Sequence, residues 1–307
     1  MRSLGLWGAC LLLALAGCER AERPVDAASA CFDAEEVEAR IAACSAAAEN
    51  DLLTPELRSQ VLSARAEAYR EGGDVTAALR DYGAALELDE VNPSALLGRA
   101  RILIDSGQLD AAQPLLQRAL NLNQSSEANE MMGQIALRRG QFPEAIAFLN
   151  TALEHEPRSV GALAARARAR QRTGDLEGAT QDYNRAIHLD GNSADALAGR
   201  CWLDLNQNRE LARARGDADA AVAADPNHVE GQLCRGVLQL REGQWAEART
   251  SFEAVLARES GNPIALFGRG IARRRGGDNQ GSEDMNLARD FDGHIGEQFD
   301  DLGVETY

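Results

Sequence analysis

The chain has 307 residues, a formal net charge of −16, 5% aromatic residues and no lysine, so all 32 basic residues are arginine. The negative balance argues against nucleic acid and against direct adhesion to anionic lipid surfaces, and without lysine neither a P-loop nor Schiff-base chemistry can be built. With so few aromatics the core must come from alanine, leucine and glycine, which let helices approach closely but bury little area each.

In chain order, Met1-Arg2-Ser3 supplies one positive charge and Leu4 to Leu15 is apolar. A run of about 12 residues is too short to span a bilayer and reads as a secretion signal over residues 1–17. It ends in Leu15-Ala16-Gly17-Cys18, a tetrapeptide that resembles a bacterial lipobox. That resemblance implies lipidation of Cys18 and anchoring of the exported chain, facing the periplasm. Glu19 in place of aspartate leans towards the outer membrane. An ordinary secretion signal is the alternative. Residues 18–30 are small and polar and read as a flexible tether. Residues 31–58 are expected to hold a capping helix at about Ala34 to Ala48. Residues 291–307 carry Phe291, Ile295, Phe299 and Leu302 at spacings of 4, 4 and 3. They predict a short amphipathic helix that caps the last repeat, with an acidic tail.

Between these ends, residues 59–290 repeat one unit. In Ser159–Asp190, small residues (Ala162, Ala165, Ala167, Ala169) mark a first helix, which Gly174 can end in a left-handed conformation. Asp175 is placed to cap a second helix, whose Ala179, Tyr183, Ala186 and Ile187 form one apolar stripe. A lone hairpin of this size cannot cover its apolar face. The break recurs at Gly73, Gly107, Gly140, Gly174, Gly243 and Gly277, with Asn208 and one inserted residue in the unit between Gly174 and Gly243. The small residue of the first helix recurs at Ala66, Ala100, Gly133, Ala167, Cys201, Gly236 and Gly270. A period near 34 with this pattern resembles the tetratricopeptide repeat. The resemblance implies an all-α, right-handed superhelical solenoid of about seven antiparallel helix pairs, with the first helix of each pair lining a concave groove.

Two sets of side chains bear on structure. Export and an even number of remaining cysteines suggest disulfides. Cys31 and Cys44 bracket the capping helix, and a bridge between them is expected. Cys201 and Cys234 lie on neighbouring first helices, offset by two repeat positions, and read either as a second bridge or as small buried residues. Arginine recurs just before the small residue, and aspartate follows at a fixed distance: Arg65 with Asp81, Arg166 with Asp182, Arg200 with Asp217. These are expected to be ion pairs within a repeat rather than a ligand ladder.

His155, His188, His228 and His294 give no compact ligand set. No Cys-x-x-Cys, no nucleophile elbow and no cofactor loop is present, so the expectation is a protein that is not an enzyme and needs no metal or cofactor. The resemblance assigns function to the groove. Its amino-terminal positions map to Glu67, Arg70, Arg101, Glu130 and Gln134, and its middle to Arg168, Gln171 and Arg172. In the carboxy-terminal half the mapping gives Trp202, Leu205, Leu233, Val237, Leu240, Phe267 and Ile271, with Arg241, Arg274 and Arg275 nearby. An apolar floor with an arginine rim suits a peptide bearing an acidic group. The alternative for these residues is packing of repeat on repeat, or filling of the space by the terminal helix. The sequence therefore predicts a scaffold for envelope proteins, with no nucleic-acid partner. A small-molecule or glycan-binding lipoprotein and a self-assembling solenoid remain alternatives.

Overall fold

The computed structural model describes residues 24–123 and 125–306, and among these every regular element is a helix. The predicted signal and Cys18 lie outside the described residues. The chain forms two units that meet in sequence at Leu122 and Asn123.

The first unit contains α1 (Pro24–Asp33), α2 (Val37–Ala48), α3 (Pro55–Glu71), α4 (Val75–Leu88), α5 (Pro93–Asp105) and α6 (Leu109–Leu122). The expected tether is corrected here, because residues 24–30 are helical. Ala27, Ala28 and Cys31 of α1 are buried against Cys44, Ala47, Leu53 and Val61, and a disulfide joins Cys31 to Cys44. The amino-terminal cap is thus a hairpin of two helices. Its partner helix starts at Val37, later than expected, and the expected capping region also takes in the start of α3, where the Thr54 hydroxyl accepts the Leu57 N–H.

The second unit contains α7 (Ser126–Arg138), α8 (Phe142–His155), α9 (Val160–Thr173), α10 (Leu176–Leu189), α11 (Ala194–Asn206), α12 (Leu211–Ala224), α13 (Val229–Arg241), α14 (Trp245–Leu256), α15 (Pro263–Arg275), α16 (Gly281–Phe291) and α17 (Ile295–Asp301). Each odd-numbered helix from α7 to α15 pairs with the helix after it. That second helix then packs on the next first helix, while neighbouring first helices also touch.

Local chemistry sets the helix ends. Gly174 sits at φ 88° and Asn208 at φ 49°, left-handed values that glycine and asparagine tolerate best. The inserted residue is Glu210, also at φ 49°. Side chains of Ser159 and Asp175 accept the first free N–H groups of α9 and α10, contacts worth about 1 kcal/mol each.

Packing between repeats sets one large side chain against one glycine. A Cβ on Gly199 would fall 2.4 Å from the Tyr183 ring, and Gly268 stands in the same relation to Phe252. Across each helix pair the arginine ladder is mostly matched by aspartate. Arg166 grips Asp182 with Nε–Oδ2 at 2.8 Å and Nη2–Oδ1 at 2.7 Å, and Arg200 grips Asp217 in the same fork. Arg65 binds Asp81. Arg269 adds a pair the sequence reading passed over, to Asp284 at a spacing of 15. A second disulfide joins Cys201 of α11 to Cys234 of α13.

The carboxy-terminal cap also differs from expectation. Phe291 belongs to α16 and is 60% exposed. The covering segment is α17 and the residues after it, with Ile295, Phe299 and Val304 buried.

Candidate functional site

The first helices of unit 2 line one face. At its amino-terminal end a cleft of about 220 Å³ is bordered by Gln134 and Arg138 of α7, Ala164 and Arg168 of α9, and Asp195 at the start of α11. The Arg168 guanidinium lies 3.6 Å from the Asp195 carboxylate. His228 lies 3.3 Å from the same carboxylate through Nε2. Its Nδ1 accepts the Gly231 N–H at 3.1 Å and so caps α13, which leaves Nε2 as the donor. The bond from His228 and the charge of Arg168 hold Asp195 below the usual carboxylate range. Beneath them Tyr183 is buried, and burial pushes its phenol up to about 12.

The middle of the face is wider. Arg172 stands over the Phe142 ring at 5.1 Å. Trp202 is half-buried, and its Nε1 donates to the Glu230 carbonyl at 3.1 Å, tying α11 to the start of α13. Arg172, Trp202, Asn206, Glu230 and Ile264 form one wall of a cleft of about 490 Å³. Gln298, Phe299, Asp301 and Leu302, from α17 and its end, form the other.

Towards the carboxy terminus the sequence-based groove needs correction. Leu205, Leu233, Val237, Leu240, Phe267 and Ile271 are all buried, none more than 3% exposed. They belong to one core cluster with Phe252 and Met285 on one side and Ile295, Phe299 and Val304 on the other. The terminal segment contributes to the same cluster, and the Phe267 and Phe299 rings lie 5.1 Å apart. Arg241 is held as well, donating to the Leu302 carbonyl at 3.1 Å and to Asn208 Oδ1 at 2.7 Å. Arg274 borders a smaller cleft of about 200 Å³ with Arg275, Met285 and Glu305.

Of the nominated groove residues, Arg172 and Trp202 border one cleft together, Arg168 borders another and Arg274 a third, where Ile271 is the one nominated aliphatic side chain at a cleft lining. Others are tied to structure. The Glu67 carboxylate pairs with Arg70, which holds it below its usual range, and accepts the Tyr82 hydroxyl at 2.6 Å. Glu130 accepts from Ser159. Sequence reasoning missed Asp195, His228, Asn206 and Glu230. His228 occupies the capping place that Ser159, Ser193 and Asn262 take elsewhere, and that register was its available signal. Among the described residues no group of three or more His, Cys, Asp or Glu could hold a metal ion. What the face offers is ion pairing, aromatic contact and hydrogen bonding.

A fold of stacked helix pairs with a polar-aromatic inner face defines a repeat protein of the binding type. Family models described as tetratricopeptide repeat match residues 69–135, and residues 130–196 and 233–289. Together they take in more than half of the chain, which belongs to the tetratricopeptide-repeat family. A tetratricopeptide repeat protein from Parabacteroides merdae superposes with a TM-score of 0.63 at 18% identity, covering 82% of this chain and 98% of that one. The APC/C hetero-tetramer Cut9–Hcn1 gives a TM-score of 0.63 at 14% identity, over 81% of this chain and 55% of the other. At such identities the likeness speaks for the fold. A curated relative, Protein CTR9 homolog of Arabidopsis thaliana, is 26% identical over 142 residues, 45% of this chain and 13% of that protein. The chain thus matches a small part of the relative's length. Proteins of this family are in general non-catalytic scaffolds for other proteins.

Proposed function

We propose that this chain is a protein-interaction scaffold of a bacterial cell envelope that takes partner segments on the inner face of its second unit. The observation that carries the reading is the cleft of about 490 Å³ in which Arg172, Trp202, Asn206 and Glu230 face the terminal segment. Tryptophan and arginine are the side chains that most often dominate binding energy at interfaces, and arginine suits carboxylates. Export rests on the Leu15–Cys18 pattern and on two disulfides, which persist in oxidising compartments. Lipid at Cys18 holds the chain at the membrane, and Glu19 favours the outer one.

The test compares in-cell crosslinking of the wild type with Arg172→Glu/Trp202→Ala. Envelope proteins captured by the wild type and lost from the folded variant are the expected result. Identical captures remove the site from this face. A Cys18→Ala chain should lose incorporation of labelled fatty acid, and unchanged labelling removes the anchor. One observation favours a small-molecule or glycan ligand, since the cleft falls in the size range of about 300–1,000 Å³ typical of ligand sites. Its charged wall and its length along several helices favour a peptide instead. A thermal shift with a glycan or small-molecule panel, in a protein that captures nothing, would reverse that order.

A further inference from the structure

We propose that the terminal segment, residues 292–306, is a displaceable occupant of the groove, and that the surface beneath it takes a partner segment of matching chemistry. That partner is a short helical turn with apolar side chains four apart, followed by an extended acidic stretch. The inference rests on the scaffold reading and names the partner it implies.

The terminal segment is built like a bound peptide. Its apolar anchors are Ile295 and Phe299, four apart, and Val304 beyond a turn at Gly303. Glu297, Asp300, Asp301 and Glu305 are exposed, and Asp301 and Glu305 border the clefts beside the segment. The groove reads its main chain, as Arg241 donates to the Leu302 carbonyl and Arg275 to the Glu305 carbonyl. Main-chain recognition accepts any sequence with anchors at the same spacing.

The groove does not depend on the segment for its own construction. Phe267 and Ile271 lie on α15, which is backed by Met285 and Ala288 of α16 and by Phe252 of α14. The segment holds on with seven helical residues, and a helix so short has no stability of its own. Nor does it fill the face. The cleft beside it continues to Arg172 and Trp202, so a longer segment gains contacts that the tethered one lacks. Charge points the same way. The chain carries −16 overall, yet Arg172, Arg241, Arg274 and Arg275 edge this face, and the Glu305 carboxylate lies 3.7 Å from Arg275.

Gly303 gives a way to loosen the segment without substituting a residue of the groove wall. It sits at φ 73°, and a Cβ there would lie 3.1 Å from the Arg241 guanidinium carbon. A β-branched residue is strongly disfavoured at that angle.

The experiment uses the full exported chain and a fluorescein-labelled peptide of residues 292–306. A short tether supplies an effective concentration in the millimolar range, so the wild type should bind the peptide at least about 100-fold more weakly than Gly303→Val. Ile295→Ala/Phe299→Ala is the stronger variant, and a peptide carrying those alanines should not bind. In the wild type, amides of residues 295–304 should exchange with deuterium at least about tenfold faster than those of α15, a measurement that needs no variant. Folded variants that bind no peptide, or equal exchange in both segments, overturn the proposal. A wild type that dimerises through exchanged terminal segments assigns the surface to a second copy and overturns the partner named here. If peptide binding behaves as expected but the Arg172/Trp202 captures do not change, the scaffold reading fails and the displaceable segment stands. The reverse pattern sinks only this inference.

Discussion

The ring of Tyr183 fills the space a Cβ on Gly199 would occupy, with Cε1 and Cζ each 2.4 Å from that point. The tyrosine lies midway along α10, the second helix of one repeat, and the glycine midway along α11, the first helix of the next, so this contact sets the distance between repeats. Gly199→Ala must displace a fully buried ring, and overpacking of this kind costs about 1–3 kcal/mol. Gly216 in α12 is the control, since nothing lies within 4 Å of its Cβ position. Gly216→Ala should stabilise by about 0.5–1 kcal/mol through helix propensity. Melting curves of the two variants should shift in opposite directions, and shifts of one sign would refute the packing argument.

The arginine ladder yields a second contrast. Arg166 and Asp182 are mostly buried and bonded through a two-point fork. Arg166→Ala leaves the carboxylate with Arg170 alone, at 2.8 Å, and should cost about 1.5–3 kcal/mol, less than a fully stranded buried charge. Arg99 holds the same register, but its second helix has Leu115 where aspartate would stand, and its Nε is buried without a hydrogen-bond partner. Arg99→Leu should leave the unfolding free energy from urea titration within about 0.5 kcal/mol of wild type or raise it. A large loss there would show that the ladder works through packing rather than charge.

Tyr183 makes stability depend on alkaline pH. Its phenol is pushed up to about 12 by burial, whereas an unfolded chain releases that proton near 10. The folded state therefore binds the proton more tightly. This contribution is complete below pH about 10 and is lost as pH rises towards about 12. Tyr82 is shifted in the same direction, so the informative quantity is the difference between wild type and Tyr183→Phe. The variant should show a shallower decline of the urea midpoint across that window. Parallel declines would remove Tyr183 as the cause.

The disulfides differ in the length of chain they close. Cys201 and Cys234 are 33 residues apart, and Cys31 and Cys44 are 13 apart. By loop entropy the first contributes about 4 kcal/mol and the second about 3 kcal/mol. Cys201→Ala/Cys234→Ala should lower the stability of unit 2, read by proteolysis within α11 to α13. Cys31→Ala/Cys44→Ala should instead open α1 and α2 to protease and leave unit 2 unchanged. Equal cleavage patterns in the two variants would contradict this assignment.

The sequence by itself determined whatever repeats at a fixed interval. Glycine at the breaks, Asn208 in place of one of them, and arginine 16 or 17 residues before aspartate are local signals, because a helix hairpin converts a constant spacing into a constant contact. Tertiary structure decided the rest. Leu233, Val237 and Phe267 read equally well as a groove floor or as core, since apolar character does not say what lies opposite. They fall in one core cluster to which a segment far along the chain contributes Ile295, Phe299 and Val304, and Arg241 bonds to Leu302 across 61 residues. In the same way the alanines of α1 gave no clear helix boundary, and their order comes from packing on α2 and α3 and from the Cys31–Cys44 link. The open part of the inner face is what remains once those distant segments have covered their share, and no count along the chain contains that subtraction.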